Sequence, residues 1–399
     1  MTTRPPVPPE DPGAALVYLD HAATTPLCGP AEAAIQRGLG LYGNPSSRHG
    51  AGLAAHDALA EAREQVAVLL GGTPAEVVFT GGGSEAINLA LQGTFAERGW
   101  RGHLVTTAIE HSAVLECAAA LNRRGVAVTV LAPEPSGHVD PARVAAALRP
   151  DTVLVSVMHA NNETGAIQPV AEITDLAHAA GALVHVDAVQ TAGKLPVDEL
   201  AADLLSVSAH KFGGPKGVGA LRVADGLVIE SLIHGGGQES GRRAGTENLP
   251  GVLGMAGAAA VAVDALRNDL ARAARRRLRK RLIDGLGVLD DILLTTTDPV
   301  MPETVSVSFG GVRADTLADV LDMRGICVST GSACHAGQDS PSHVLTAMGI
   351  SLEQAKATVR FSFGHGTTAD HVDLAVEATV AAVEQLRDVR PFMAASGGN

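Results

Sequence analysis

Short β-branched runs alternate with Ala-rich amphipathic stretches through most of the chain. The runs Val77–Thr80, His103–Thr107, Val126–Leu131, Val153–Met158, Leu183–Asp187, Leu204–Ser208 and Gly219–Val223 read as seven strands. Gly52–Leu70, Ser84–Arg98, Ser112–Arg124, Pro141–Leu148 and Val170–Ala180 read as helices between them. Apolar strands separated by helices imply crossover connections, so the pattern predicts a doubly wound, mostly parallel α/β sheet covered on both faces. Ligands of such a sheet sit beyond the carboxyl ends of its strands. After Gly251 a long Ala-rich helical stretch runs to about Leu286. Thr304–Phe309, Thr316–Met323, Cys327–Ser329, Val359–Phe363 and a helix from Ala369 to Leu386 then form a smaller α/β unit. We expect a flexible arm over 1–15, a large domain over 16–255 and a small domain over 256–393 that carries a loop at 329–343. Pro391 should discourage further helix, leaving a disordered tail over 394–399.

Composition narrows the class. Of 399 residues, 46% are apolar but only 3% aromatic, so the core is built of small Ala and Val side chains rather than rings. Thirty basic against 43 acidic residues give a formal charge of −13, which argues against a general nucleic-acid or membrane-surface binder. No apolar run reaches the ~18 residues that would span a bilayer, and the Pro-rich start lacks the apolar region of a secretion signal. Four cysteines are too few for a disulfide scaffold, so a cytoplasmic enzyme is expected. The run Arg272–Arg281 holds seven Lys or Arg in ten positions; it is either a solvated helix face or a dock for an acidic partner.

Candidate chemistry gathers at predicted strand ends. Leu204–Ser208 runs into His210, Lys211 and a Gly/Pro loop. A lysine there, against apolar surroundings, can act as a nucleophile or form an imine, or it can be a solvated turn lysine, which suits Lys216 better. Asp187 ends an apolar strand and needs a cationic partner, either a protonated pyridine nitrogen or an ordinary Arg or Lys. Gln190 could donate to a bound cofactor or merely close the turn. Thr80-Gly81-Gly82-Gly83-Ser84 leads into a helix, a cradle for a single phosphate or a plain N-cap at Ser84. His111 could cover a flat ring, and Asn162 follows another strand. Cys334, in a Gly/Ser-rich segment beside His335, is either a nucleophilic thiol or a bystander; Cys28, Cys117 and Cys327 read as structural.

Several separated motifs agree in order. Tyr18-Leu19-Asp20-His21-Ala22-Ala23-Thr24-Thr25-Pro26, Gly43-Asn44-Pro45-Ser46-Ser47, Ser208–Gly217, Arg243-Ala244-Gly245-Thr246-Glu247-Asn248 and Ser329–Cys334 resemble the NifS/IscS-type cysteine desulfurases, fold-type I pyridoxal phosphate enzymes of aminotransferase class V. The block ending at Cys334 is similar to the desulfurase group with a long, flexible cysteine loop. The resemblance implies that L-cysteine is converted to L-alanine, with its sulfur passed through a Cys334 persulfide to an acceptor protein, such as a scaffold for iron–sulfur assembly, a tRNA-thiolation protein or another sulfur carrier. It implies that Lys211 forms an imine with pyridoxal 5'-phosphate and removes the Cα proton. Asp187 would hold the ring nitrogen protonated, His111 would stack on the ring, and Asn162 and Gln190 would meet its phenolic side. Gly83, Ser84, Ser208 and His210 would bind the phosphate, and Thr246 the phosphate of the partner subunit in a homodimer. Arg360, assisted by Asn44, would clamp the substrate carboxylate. No resident metal is implied, although Cys334 could transiently ligate an iron–sulfur cluster. A selenocysteine lyase, another carbon–sulfur lyase or an aminotransferase is the alternative. Two positions depart from the family pattern: Gly83-Ser84, where Ala-Thr is commoner, and His335.

Overall fold

A computed structural model describes residues 16–330 and 341–396. Cys334, His335, the expected arm over 1–15 and the last three residues of the expected tail lie outside the described residues. In chain order the strands are β1 (Val17–Tyr18), β2 (Val77–Thr80), β3 (His103–Thr107), β4 (Ala127–Leu131), β5 (Thr152–Met158), β6 (Leu183–Asp187), β7 (Leu204–Ser208), β8 (Gly219–Val223), β9 (Ile292–Leu294), β10 (Thr304–Phe309), β11 (Ile326–Cys327), β12 (Ser329–Thr330) and β13 (Thr358–Ser362).

The seven strands β2 to β8 form one sheet in the order β2-β8-β7-β6-β5-β3-β4. Only β8 runs against its neighbours, because the short segment 209–218 joins β7 to β8 without room for a crossover helix. Alternate residues feed opposite faces: Val155 and Val157 pack into one core with Val66 and Val186, while Leu154 joins Ile87, Phe95 and Leu121 on the other side. Both faces are therefore covered, as the continuous apolar strands require.

A second assembly is built on the antiparallel order β12-β13-β10-β9, with β1 and β11 paired in parallel beside it. Its core holds Leu282, Phe309, Phe361 and Val383, together with Val17 and Leu19 from near the N-terminus. The expected boundaries at 16 and 255 need correcting on this point. Val17 pairs with Ile326 and belongs with the second core. Residue 255 falls inside the helix Leu249–Leu266, whose Val252, Met255, Ala259 and Ala262 all pack in the first core. That helix is long and apolar enough, by length and composition, to cross a membrane, but more than half of it is buried against the protein. It rests on the helices Gly29–Gly40 and Gly50–Leu70, and its small residues allow close approach: a Cβ at Gly257 would sit 2.7 Å from the Pro30 carbonyl oxygen.

The helical stretch expected to run unbroken to Leu286 is two helices, because the Asn268 side chain accepts from the Leu270 and Ala271 amides and starts a new one. On this second helix the basic run is largely spent within the chain. Arg275 pairs with Glu303, Arg281 with Asp373 and Lys280 with Asp284. The final helix, Ala369–Ser396, continues through Pro391 into the expected tail. Val372, Ala375, Ala382 and Val383 anchor it in the second core, and a proline this near the end removes a single backbone donor.

Candidate active site

Strands β2, β3, β5, β6 and β7 share one direction, so their carboxyl ends open on one edge of the sheet. At the end of β2 the chain turns through Gly82, whose φ of 146° favours glycine, into the helix Gly83–Glu97. Gly82 at the N-cap has no side chain to cap this helix, which leaves its first amides without a side-chain cap among the described residues and open to an anion. Gly83 packs so closely that a Cβ there would meet Val189 at 2.9 Å and Ser208 at 3.3 Å. Gly83, Ser84, Ser208 and His210 line a single open cup of about 440 Å³. Lys216, assigned to solvent from the sequence, lines it too and adds a positive charge. His210 Nδ1 meets Thr24 Oγ1 at 3.1 Å. Burial, helped by Lys211, Lys216 and Lys194, lowers its pKa to about 4, so the ring is neutral at physiological pH.

Beside the cup, β6 ends on Asp187, which is only 6% exposed. Its Oδ1 accepts from the Val189 amide at 2.9 Å. Burial pushes its pKa up to about 6, against the opposing pull of that amide and of Lys211. Lys211 closes the short 3₁₀ turn Ala209–Lys211 after β7, and its Nζ donates to the Ala22 and Ala23 carbonyls at 2.6 and 2.9 Å. Gln190 also donates to the Ala22 carbonyl, at 2.9 Å, so its amide N–H serves the chain rather than standing open. His111 starts the helix Ser112–Arg123, and its Nδ1 accepts from the Ala113 amide at 3.1 Å, which assigns the ring proton to Nε2. Under it, burial raises the pKa of Glu110 to about 8. Glu110 is therefore protonated near neutrality and adds no negative charge beside Asp187.

Arg360 arrives from β13 of the second assembly. Its Nη2 pairs with Asp20 Oδ1 at 2.7 Å, its Nη1 donates to the Asn162 carbonyl at 2.7 Å, and its Nε is buried without a hydrogen-bond partner among the described residues. Asp20 was missed as a functional residue because its partner lies 340 positions away; a lone acid after the apolar Val17–Leu19 was the available signal. Two expected residues are not drawn into this constellation. Exposed Asn44 uses its Oδ1 on the Ser46 amide, and no hydrogen bond joins it to Arg360 among the described residues. Exposed Thr246 is not a wall of its own chain's cup, although Arg243 ties that segment to Glu85, which also holds the Gly81 amide.

The geometry fits pyridoxal phosphate: an open helix terminus with cationic neighbours for the phosphate, a buried carboxyl for the ring nitrogen, and Lys211 near enough to that carboxyl to pull on its pKa. A titration checks the Asp187 assignment. Its folded pKa lies above the ordinary carboxylate value of 3.8, so stability is present while it is protonated and is lost as pH rises through about 6. In cofactor-free protein Asp187→Asn should raise stability by roughly 2–3 kcal/mol near pH 8, a gain that vanishes near pH 4. Thermal melts across that range measure it; a mutant that melts with the wild type near pH 8 contradicts the assignment.

Residues 17–374 match the Aminotransferase class-V family. The cysteine desulfurase IscS of Dictyoglomus turgidum is 40% identical over 386 residues, covering 94% of this chain and 96% of that protein. The IscS of Anaeromyxobacter dehalogenans is 44% identical over 385 residues, 94% of each. Among solved structures, a NifS-like protein superposes with a TM-score of 0.85 at 38% identity, covering 95% of this chain and all of that one. The structure of SspA in complex with cysteine does so at 0.77 and 37% identity, covering 87% and 98%. The chain belongs to the class-V aminotransferase family of pyridoxal-phosphate enzymes, in its cysteine desulfurase branch.

Proposed function

We propose that this chain takes sulfur from L-cysteine, releases L-alanine, and carries the sulfur on Cys334 to an acceptor protein. The observation that carries the reading is the meeting of Asp187, Lys211 and the Gly83 cup at one sheet edge, with Arg360 reaching in from the second assembly. The cofactor, when bound, supplies an electrophilic carbon and a ring that accepts an electron pair. Asp187, as a carboxylate, would keep a proton on the ring nitrogen; Gly83, Ser84, Ser208 and neutral His210 would hold the phosphate; His111 would cover the ring, with Asn162 and Gln190 toward its phenolic side. Arg360 exchanges its contact with Asp20 for the substrate carboxylate, bound through two parallel hydrogen bonds, with Asn44 assisting. Lys211 would remove the Cα proton of the bound substrate. The Cys334 thiolate attacks the substrate sulfur: a sulfur–sulfur bond forms, the carbon–sulfur bond breaks, and its electron pair passes to the carbon skeleton, which is protonated and leaves as alanine.

Exposed Thr246, fastened beside the cup through Arg243 and Glu85, supports a homodimer in which it serves the partner's phosphate. The acceptor belongs to the thio-cofactor pathways, with iron–sulfur assembly favoured by the IscS relatives.

Alanine and sulfide production from L-cysteine under a reductant tests the reaction. Arg360→Lys keeps the charge but loses the two-pronged geometry, and should raise KM for L-cysteine by about 10- to 100-fold with a smaller change in kcat. An unchanged KM would remove Arg360 from the substrate site.

A further inference from the structure

A cavity of about 500 Å³ has walls from both cores, Ala262 from the first and Phe363 from the second; Lys211 is part of its wall, but none of the residues assigned to the cofactor phosphate or the substrate carboxylate is. Most of its surface is apolar, but three polar groups in it lack hydrogen-bond partners among the described residues. Arg275 Nη1 donates to Glu303 Oε1 at 2.8 Å, which leaves Glu303 Oε2 buried and unpaired. His21 Nδ1 is likewise buried and unpaired; burial and the nearby Lys194 lower its pKa to about 4, so the ring is neutral. Lys194 lines the cavity and forms no hydrogen bond or ion pair with another described residue, although the Glu303 carboxylate attracts it. Polar groups left this way in apolar surroundings are costly, and native proteins seldom leave three in one place.

The charges specify what would satisfy them. Glu303 is the only acid among the described wall residues, against the cations Lys194 and Arg275, with Lys211 committed to the cofactor in the holoenzyme. The surplus is positive and calls for an anion. Glu303 Oε2 is an acceptor and calls for a donor, with His21 Nδ1 available beside the same ligand. The apolar walls call for a hydrocarbon body, and the volume lies within the usual range for small-molecule sites. We propose that this cavity is a second amino-acid site that takes the zwitterion of a small apolar α-amino acid, its carboxylate toward Lys194 and its ammonium toward Glu303. His21 adjoins Ala22, whose carbonyl holds Lys211, so an occupant here bears on the catalytic lysine.

Calorimetric titration of the holoenzyme with L-leucine tests the proposal. Saturable binding is expected, weakened about tenfold or more by Lys194→Met and by Glu303→Gln. Lys194→Arg, which keeps the charge, should retain it, and melting temperatures of the three variants show whether any loss reflects folding. Arg360→Lys should leave leucine binding in place, because Arg360 lies outside this cavity. 4-Methylpentanoate, which lacks the ammonium, should bind more weakly than leucine. The proposal fails if no saturable binding is seen, if folded Lys194→Met binds like the wild type, if 4-methylpentanoate matches leucine, or if binding is lost in Arg360→Lys instead.

Discussion

Cys334→Ala should abolish sulfide release from L-cysteine, a fall of at least about a thousandfold, the scale on which an essential nucleophile is lost. It should leave the bound cofactor's colour and the melting temperature unchanged. The selectivity follows from where the work is divided. The cup, Asp187 and Lys211 are all fixed by strands of the large sheet, whereas Cys334 follows the short strand β12 of the second assembly. Under the proposed mechanism, removing its thiol should leave binding and proton abstraction intact while taking away the atom that attacks the substrate sulfur. The same variant discriminates between chemistries: an aminotransferase or a lyase that needs no protein thiol would keep its turnover. Two of the three described cysteines are poor substitutes. Cys117 is buried, with its thiol pushed up to about 12, and burial raises Cys327 as well. Only Cys28, half-buried beside Gly213 and lining a cavity that Lys211 also lines, is placed as a rival.

Lys211→Ala should be equally severe for a different reason. In the proposed reaction its amine both anchors the cofactor and moves the Cα proton, so turnover should fall by at least about a thousandfold. Here the absorbance of the lysine-linked cofactor should disappear as well, which separates this defect from that of Cys334→Ala. In the structure the amine rests on the Ala22 and Ala23 carbonyls, within the reach of Asp187's field. Lys194, with its pKa lowered by burial to about 8, is a second lysine that could offer a neutral amine; it shares the wall of the adjoining cavity with Lys211. Persistence of the absorbance in Lys211→Ala would point to it.

Much of the site was legible because its residues stand at places the period of the chain marks by itself. Asp187, Ser208 and Lys211 each end an apolar run, and a parallel sheet brings such ends together whatever its strand order. Gly82 and Gly83 announced a tight turn into a helix. The remainder depended on contacts that local pattern does not encode. The two-residue strand Val17–Tyr18 carries too little periodicity to read, and it exists because Ile326–Cys327 lies alongside. The helix Leu249–Leu266 is uniformly small and apolar, so its sequence suits either core, and only packing decides that it belongs to the first. The same limit applies to charges. The basic run Arg272–Arg281 looked like an open surface, yet Arg275 turns inward to Glu303 and Arg281 reaches Asp373, 92 positions away. Lys216 looked like a turn lysine until the cup formed around it.

The central claim is that sulfur leaves L-cysteine for Cys334. The most direct test is mass spectrometry of the holoenzyme after reaction with one equivalent of L-cysteine in the absence of reductant, with alanine measured in the same sample. The account predicts one alanine per added sulfur and a peptide containing Cys334 that is heavier by one sulfur atom, with the Cys28 peptide unchanged. Alanine formed with the sulfur on Cys28, or with no protein-bound sulfur at all, would contradict it.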